Sequence, residues 1–173
     1  MKFKARLSMG GYQLLLSAFL PALEKVDKEA HLYLTPTHVR LCQNFFNLNG
    51  VHACASFKKE TIFEDYKIQS KADNCIALAV DLAHIVRALQ SIRRVLASES
   101  GEVTVKLVRR QSPGQPMGSR GNPYLAFDVR RCIDHVDGVS VEPFEQKLLL
   151  QDVPVSEPLA SADLERLEQG LTT

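Results

Sequence analysis

The sequence predicts an α+β fold: antiparallel sheets with two helices on one face. Three observations point there. Short segments alternate apolar and charged side chains at every second residue, as half-buried strands do. Two longer segments repeat apolar residues at helical spacing. Few residues separate successive strands, which suits meander pairing better than parallel crossovers.

The elements follow in order. Lys2–Leu7 sets Phe3, Ala5 and Leu7 on one side and Lys2, Lys4 and Arg6 on the other, a half-buried strand. Tyr12, Leu15, Leu16, Phe19, Leu20, Leu23 and Val26 fall at helical spacing. Pro21 lies inside that pattern and cannot donate to the Ser17 carbonyl, so a kink or restarted turn is expected there. Five β-type runs come next: Ala30–Thr35, His38–Gln43, Val51–Phe57, Thr61–Gln69 and Cys75–Val80. Asp81 is a suitable N-cap for a second helix, whose apolar stripe is Leu82, Ile85, Val86, Leu89, Ile92 and Leu96. Glu102–Val108 alternates again. Arg109–Pro123, rich in Gly, Pro and Ser, is expected as a long exposed hairpin loop. Strands resume at Tyr124–Arg130 and Glu145–Val155, with Arg131–Phe144 as the connection between them. The tail Ser156–Thr173 has the look of a linker; from Asp152 onward the chain holds five acidic residues and one basic.

Composition narrows the function classes. The 173 residues carry 21 Lys and Arg against 20 Asp and Glu, a net charge of +1, which excludes a histone-like polycation. Apolar residues make up 45%, enough to fill a core and to set aside global disorder. No stretch approaches the roughly 20 apolar residues of a membrane span. The opening Met1-Lys-Phe-Lys-Ala-Arg-Leu7 mixes charged and apolar residues that a signal peptide would segregate. Cys42, Cys54, Cys75 and Cys132 are far apart, so free buried thiols in a reducing compartment are expected.

No catalytic pattern stands out. The cysteines form no C-x-x-C, and His31, His38, His52, His84 and His135 form no H-x-x-x-H pair. The glycines make neither G-x-G-x-x-G nor a phosphate loop, so no cofactor or metal is expected. Asp134-His135 has the residue types for acid–base chemistry, but a surface turn explains the pair. One surface does carry a signal. Arg87, Ser91 and Arg94 stand at i, i+4 and i+7 on the second helix, opposite its apolar stripe, and Arg93 flanks them. Arginines so placed can contact phosphates without reading bases. Lys25 and Lys28 add a weaker basic contribution at the end of the first helix.

Met1-Lys-Phe-Lys-Ala-Arg-Leu7, Leu32-Tyr-Leu-Thr-Pro36, the Asp81–Ser91 helix and Lys147-Leu-Leu-Leu-Gln-Asp-Val-Pro-Val155 together resemble a known family. It is the hydroxyurea-sensitivity (Hus-one-type) subunit of the nine-one-one DNA-damage checkpoint clamp, with the fold of the replication sliding clamp. The resemblance implies a clamp-like N-terminal half-domain over residues 1–155 and an acidic interdomain linker or tail over 156–173, the second half being absent. Its helices would line the central hole, with Arg87, Ser91, Arg93, Arg94, Lys25 and Lys28 facing DNA phosphates. Lys147, Leu148, Leu149, Leu150 and Gln151 would form the edge strand that pairs with a neighbouring subunit. Leu148 and Leu150 would alternate with Leu149.

The implied function is that of a non-enzymatic subunit of a heterotrimer in the nucleus. Two other checkpoint-clamp subunits, an ATP-driven clamp loader and sequence-nonspecific double-stranded DNA would be its partners, with no cofactor and no membrane. The ring would be a platform for checkpoint signalling and repair factors. Arg109–Pro123 and Arg131–Phe144 look like insertions, and Ser112-Pro113 fits proline-directed phosphorylation. The alternative is an adaptor module that uses an exposed sheet edge without touching DNA. Phe45-Phe46 resembles the end of a clamp-binding peptide, although Val39 stands where that motif wants Gln.

Overall fold

The computed structural model describes residues 1–44, 51–96, 101–111, 114, 118, 120–136 and 139–172; for 94–96, 131–136, 139–150 and 172 only the backbone is described. Nine strands make two antiparallel sheets. The larger has the order β5-β1-β7-β8-β9: β5 (Phe63–Gln69), β1 (Lys2–Leu7), β7 (Gly101–Arg110), β8 (Asn122–Val136) and β9 (Val139–Pro154). The smaller has the order β4-β3-β2-β6: β4 (Ala53–Lys58), β3 (His38–Gln43), β2 (Glu29–Leu34) and β6 (Ile76–Asp81).

One apolar core joins both sheets to the helices. Phe3, Ala5 and Leu7 of β1 and Val103 and Val105 of β7 enter it, as the period-two pattern requires. Ala30 and Leu34 of β2, Val39 and Leu41 of β3, and Phe57 of β4 meet them from the smaller sheet. The helix α4 (Leu82–Leu96) contributes Leu82, Ile85, Ala88, Leu89 and Ile92.

The first helical region is broken where Pro21 demands it. Helix α1 (Met9–Leu14) gives way to a π-helical stretch at Leu15–Phe19, and α2 (Leu20–Leu23) restarts with Pro21 in its first turn. A proline has no N–H to close an α-helical ring, and a wider turn accommodates the loss. The helix begins three residues before the periodic pattern does, because Ser8 caps it: its Oγ accepts from the Gly11 N–H at 2.9 Å. Gly11 is needed for close approach. A Cβ there would lie 2.4 Å from the Ile62 carbonyl oxygen.

Four sequence expectations are corrected. Thr61 and Ile62 do not open a strand; they close the short helix α3 (Lys59–Ile62), and β5 begins only at Phe63. Arg109 and Arg110 are not loop residues but end β7, their guanidinium groups pairing with Glu157 and Asp152. Arg131–Phe144 is not a loose connection. There β8 and β9 continue as one long hairpin, with pairs such as Cys132↔Glu145 and Val136↔Val139. Beyond Arg131 these two strands pair only with each other among the described strands, and ladder hydrogen bonds hold them. Of the described cysteines only Cys42 is buried; Cys54 is exposed and Cys75 lies between, all three being free thiols.

Beyond β9 the chain seals the open side of β6. Val155 forms a bridge with Val80, and the Ser156 and Leu159 N–H groups donate to the carbonyls of Ala79 and Ala77, each at 3.0 Å. Helix α5 (Ser161–Thr172) then lies on the face of the smaller sheet away from the main core. Leu164 and Leu167 bury there against Tyr33 and Ala77, and the Tyr33 hydroxyl donates to Glu168. Phe45, Phe46, Ser112 and Pro113 lie outside the described residues.

Candidate functional site

Helix α4 carries the candidate site. Asp81 caps it as expected, its Oδ1 accepting from the Ala83 N–H at 2.8 Å. The buried stripe fixes which way the helix faces: with Leu82, Ile85, Ala88, Leu89 and Ile92 in the core, the opposite face meets solvent. Arg87 is exposed on that face. Ser91 is half-buried, and its Oγ donates to the Arg87 carbonyl at 3.0 Å, the back-bond common for serine inside a helix. Arg93 is exposed on the flank towards α1, close enough for its charge to favour the ionised form of the Tyr12 hydroxyl. Burial dominates at Tyr12 and holds that hydroxyl above its usual range. Arg94 sits on the α4 backbone seven residues after Arg87; its side chain lies outside the described set.

Lys25 and Lys28 follow α2 and are both exposed. The Lys28 carbonyl accepts from the Leu82 N–H at 2.9 Å, so this turn and the start of α4 are joined. Gln43, fully buried on β3, secures the same turn by donating to the carbonyls of Leu23 at 3.1 Å and Asp27 at 2.8 Å. Among the described residues, no carboxylate forms an ion pair with Arg87, Arg93, Lys25 or Lys28. The exposed side of the broken first helix is different in kind. Gln13, Ser17, Ala18 and Pro21 face solvent there without charge. The structure thus brings Lys28 to the N-terminal end of α4, while α1 adds no cation.

The segment Lys147–Gln151 lies in β9, the outermost strand of the larger sheet, whose one ladder partner among the described strands is β8. No described strand pairs with its other edge, and such an edge presents backbone groups to another strand. The ladder slips between Asp128↔Leu149 and Phe127↔Gln151, which leaves Leu150 as the extra residue of a bulge. The expected alternation of Leu148, Leu149 and Leu150 concerns side chains outside the described set.

Sequence reasoning missed two features. One is a row of lysines on the face of the larger sheet away from the core, where Lys4 stands opposite both Lys67 and Lys106. The period-two pattern of β1 put Lys4 on that face, but only the strand order shows its neighbours. The other is the facing pair Cys42 and Cys54. The turn composition at Asn47–Gly50 could have revealed it, since the two cysteines are equidistant from Leu48. Among the described residues, no group of three or more His, Cys, Asp or Glu side chains could hold a metal ion. Nor is any described helix long and apolar enough to cross a membrane.

The comparisons agree with this architecture. A family model described as Hus1-like protein matches residues 1–173. A checkpoint protein hus1 homolog of Dictyostelium discoideum is 33% identical over 156 residues, covering 90% of this chain and 48% of the relative. The checkpoint protein hus1 of Schizosaccharomyces pombe is 32% identical over 120 residues, 68% of this chain and 37% of the relative. The chain therefore spans half or less of the length of the curated relatives it matches. The α+β class expected from the pattern, antiparallel sheets backed by helices, is the clamp fold that goes with this match. With its whole length matched, the chain belongs to the Hus1-like protein family.

Proposed function

We propose that this chain supplies one half-domain to a heterotrimeric DNA-damage checkpoint clamp and acts in the nucleus without catalysis of its own. Residues 1–155 form the half-domain in this reading, and 156–173 lead on from it. The partners are two other checkpoint-clamp subunits, a clamp loader and double-stranded DNA. The outer surface of the ring serves checkpoint signalling and repair proteins.

One observation carries the reading. In a chain matched throughout by a family of checkpoint proteins, the face of α4 opposite its buried stripe exposes Arg87 with no described ion-pair partner. A cation held out from a rigid helix costs little to bring against a phosphate, and it gains by releasing condensed counterions. Such contacts carry no base information, which suits a ring that moves along DNA. Arg93, Arg94, Ser91, Lys25 and Lys28 extend this surface. The open edge of β9 at Lys147–Gln151 supports assembly, because a neighbouring strand would satisfy its backbone groups.

The test is charge reversal in the assembled complex. The double variant Arg87→Glu/Arg94→Glu should fold and assemble, yet lose most of its retention on double-stranded DNA. Retention equal to wild type at the same salt would remove α4 from the DNA path and leave the adaptor reading.

A further inference from the structure

The hairpin β3–β4 forms the outer edge of the smaller sheet, and its register sets Cys42 directly opposite Cys54. The two sulfur atoms are 3.1 Å apart. Both side chains lie on the sheet face away from the main core, because Leu41 and Ala55 beside them point into it. Cys42 is fully buried and Cys54 is exposed. Directly opposed residues of an antiparallel ladder hold their Cα atoms about 4.5–5.5 Å apart, inside the range that a disulfide spans. Closing the bond requires the sulfurs to approach by only about 1 Å, with no slip of the ladder.

We propose that Cys42 and Cys54 are a peroxide-responsive dithiol site that closes to an intrachain cross-strand disulfide. Cys54, the accessible partner, reacts first. Its thiolate attacks one oxygen of a hydroperoxide; an S–O bond forms, the O–O bond breaks, and the departing oxygen takes a proton. Cys54 is then a sulfenic acid. The Cys42 sulfur attacks the Cys54 sulfur, the S–S bond forms, the S–O bond breaks, and the hydroxyl leaves as water with the Cys42 proton. Two thiols are oxidised by two electrons, and the peroxide is reduced. A dithiol reductant reverses the step by exchange.

The surroundings suit these roles. The Cys42 S–H shares its proton with the Cys54 sulfur, and Arg40 adds positive charge, which together bring the Cys54 thiol down to about 7 against the opposing effect of burial. The same hydrogen bond, with burial, holds the Cys42 proton in place, so Cys42 is the poorer nucleophile toward peroxide and Cys54 reacts first. Cys75 is an internal control: it lies in the turn before β6, away from this pair, and burial raises its thiol.

The experiment uses the full, reduced chain and dilute hydrogen peroxide, with the remaining thiols blocked by iodoacetamide. Mass spectrometry should find a monomer about 2 Da lighter before blocking, with Cys42 linked to Cys54, Cys75 still alkylated, and full reversal by dithiothreitol. The Cys42→Ser variant should accumulate a dimedone-reactive sulfenic acid at Cys54. In Cys54→Ser, oxidation of Cys42 should slow by roughly tenfold or more. The wild-type peptide map stands even if a variant misfolds. Faster oxidation of Cys75 than of the pair would overturn the proposal. So would a Cys54 disulfide between two copies, or overoxidation of Cys54 while Cys42 stays reduced.

Discussion

The Leu82 N–H donates to the Lys28 carbonyl at 2.9 Å, tying the first turn of α4 to the segment that follows α2. Lys28 is thereby held beside the N-terminal end of α4, the helix that exposes Arg87 and Arg93.

The surface makes a prediction about salt. Each phosphate neutralised by a cation contributes about 0.9 to the slope of log affinity against log salt on duplex DNA. Removing Lys28 by Lys28→Ala should lower the slope measured for the assembled complex by about 0.9 if that lysine meets one phosphate. Loss of affinity should be the same on unrelated DNA sequences.

Gly11 is a stability prediction. Because α1 crosses α3 there, a methyl group would press on the Ile62 backbone at 2.4 Å, and a backbone atom cannot rotate aside. Gly11→Ala should cost about 1–3 kcal/mol, seen as a Tm lower by roughly 3–10 °C. Gly10→Ala is the control. It meets nothing within 4 Å, so it should be neutral or slightly stabilising.

Much of this was legible in the sequence, and the exceptions have physical causes. The stripe and cap of α4 come directly from helical period and from Asp81, because both are local effects. The faces of β1 follow from alternation against a core. The π-helical stretch at Leu15–Phe19 is invisible to a fixed period of 3.6. The distal part of the β8–β9 hairpin went unread because its pairing, such as Cys132 with Glu145, joins residues across the turn. The candidate site was half legible: the position of Arg87 opposite the apolar stripe gave its exposure, but the hydrogen bond from Leu82 that brings in the Lys28 backbone is tertiary.

The tail illustrates the same limit. Leu164 and Leu167 read as a weak amphipathic segment, yet Leu167 is fully buried against the outer side of the smaller sheet. Leu167→Ala should weaken docking of α5 by about 2–3 kcal/mol. Limited trypsin digestion should then cut sooner after Arg166, an exposed residue of that helix.

The cysteine pair predicts a pH profile. The Cys54 thiol, lowered to about 7, gains thiolate as pH rises through that value. Its alkylation by iodoacetamide should climb with a midpoint near pH 7, while Cys75, with its thiol pushed up by burial, should follow only at higher pH. Arg40→Gln removes a neighbouring positive charge and should move the Cys54 midpoint upward.

The proposed function requires above all that the edge strand β9 can join a checkpoint clamp. Its most direct test is the mass of the complex formed when this chain is co-expressed with the two other checkpoint-clamp subunits, measured by light scattering after size exclusion. One stoichiometric species containing all three chains is expected. A well-folded chain that elutes alone, with its two intended partners elsewhere in the profile, would contradict it.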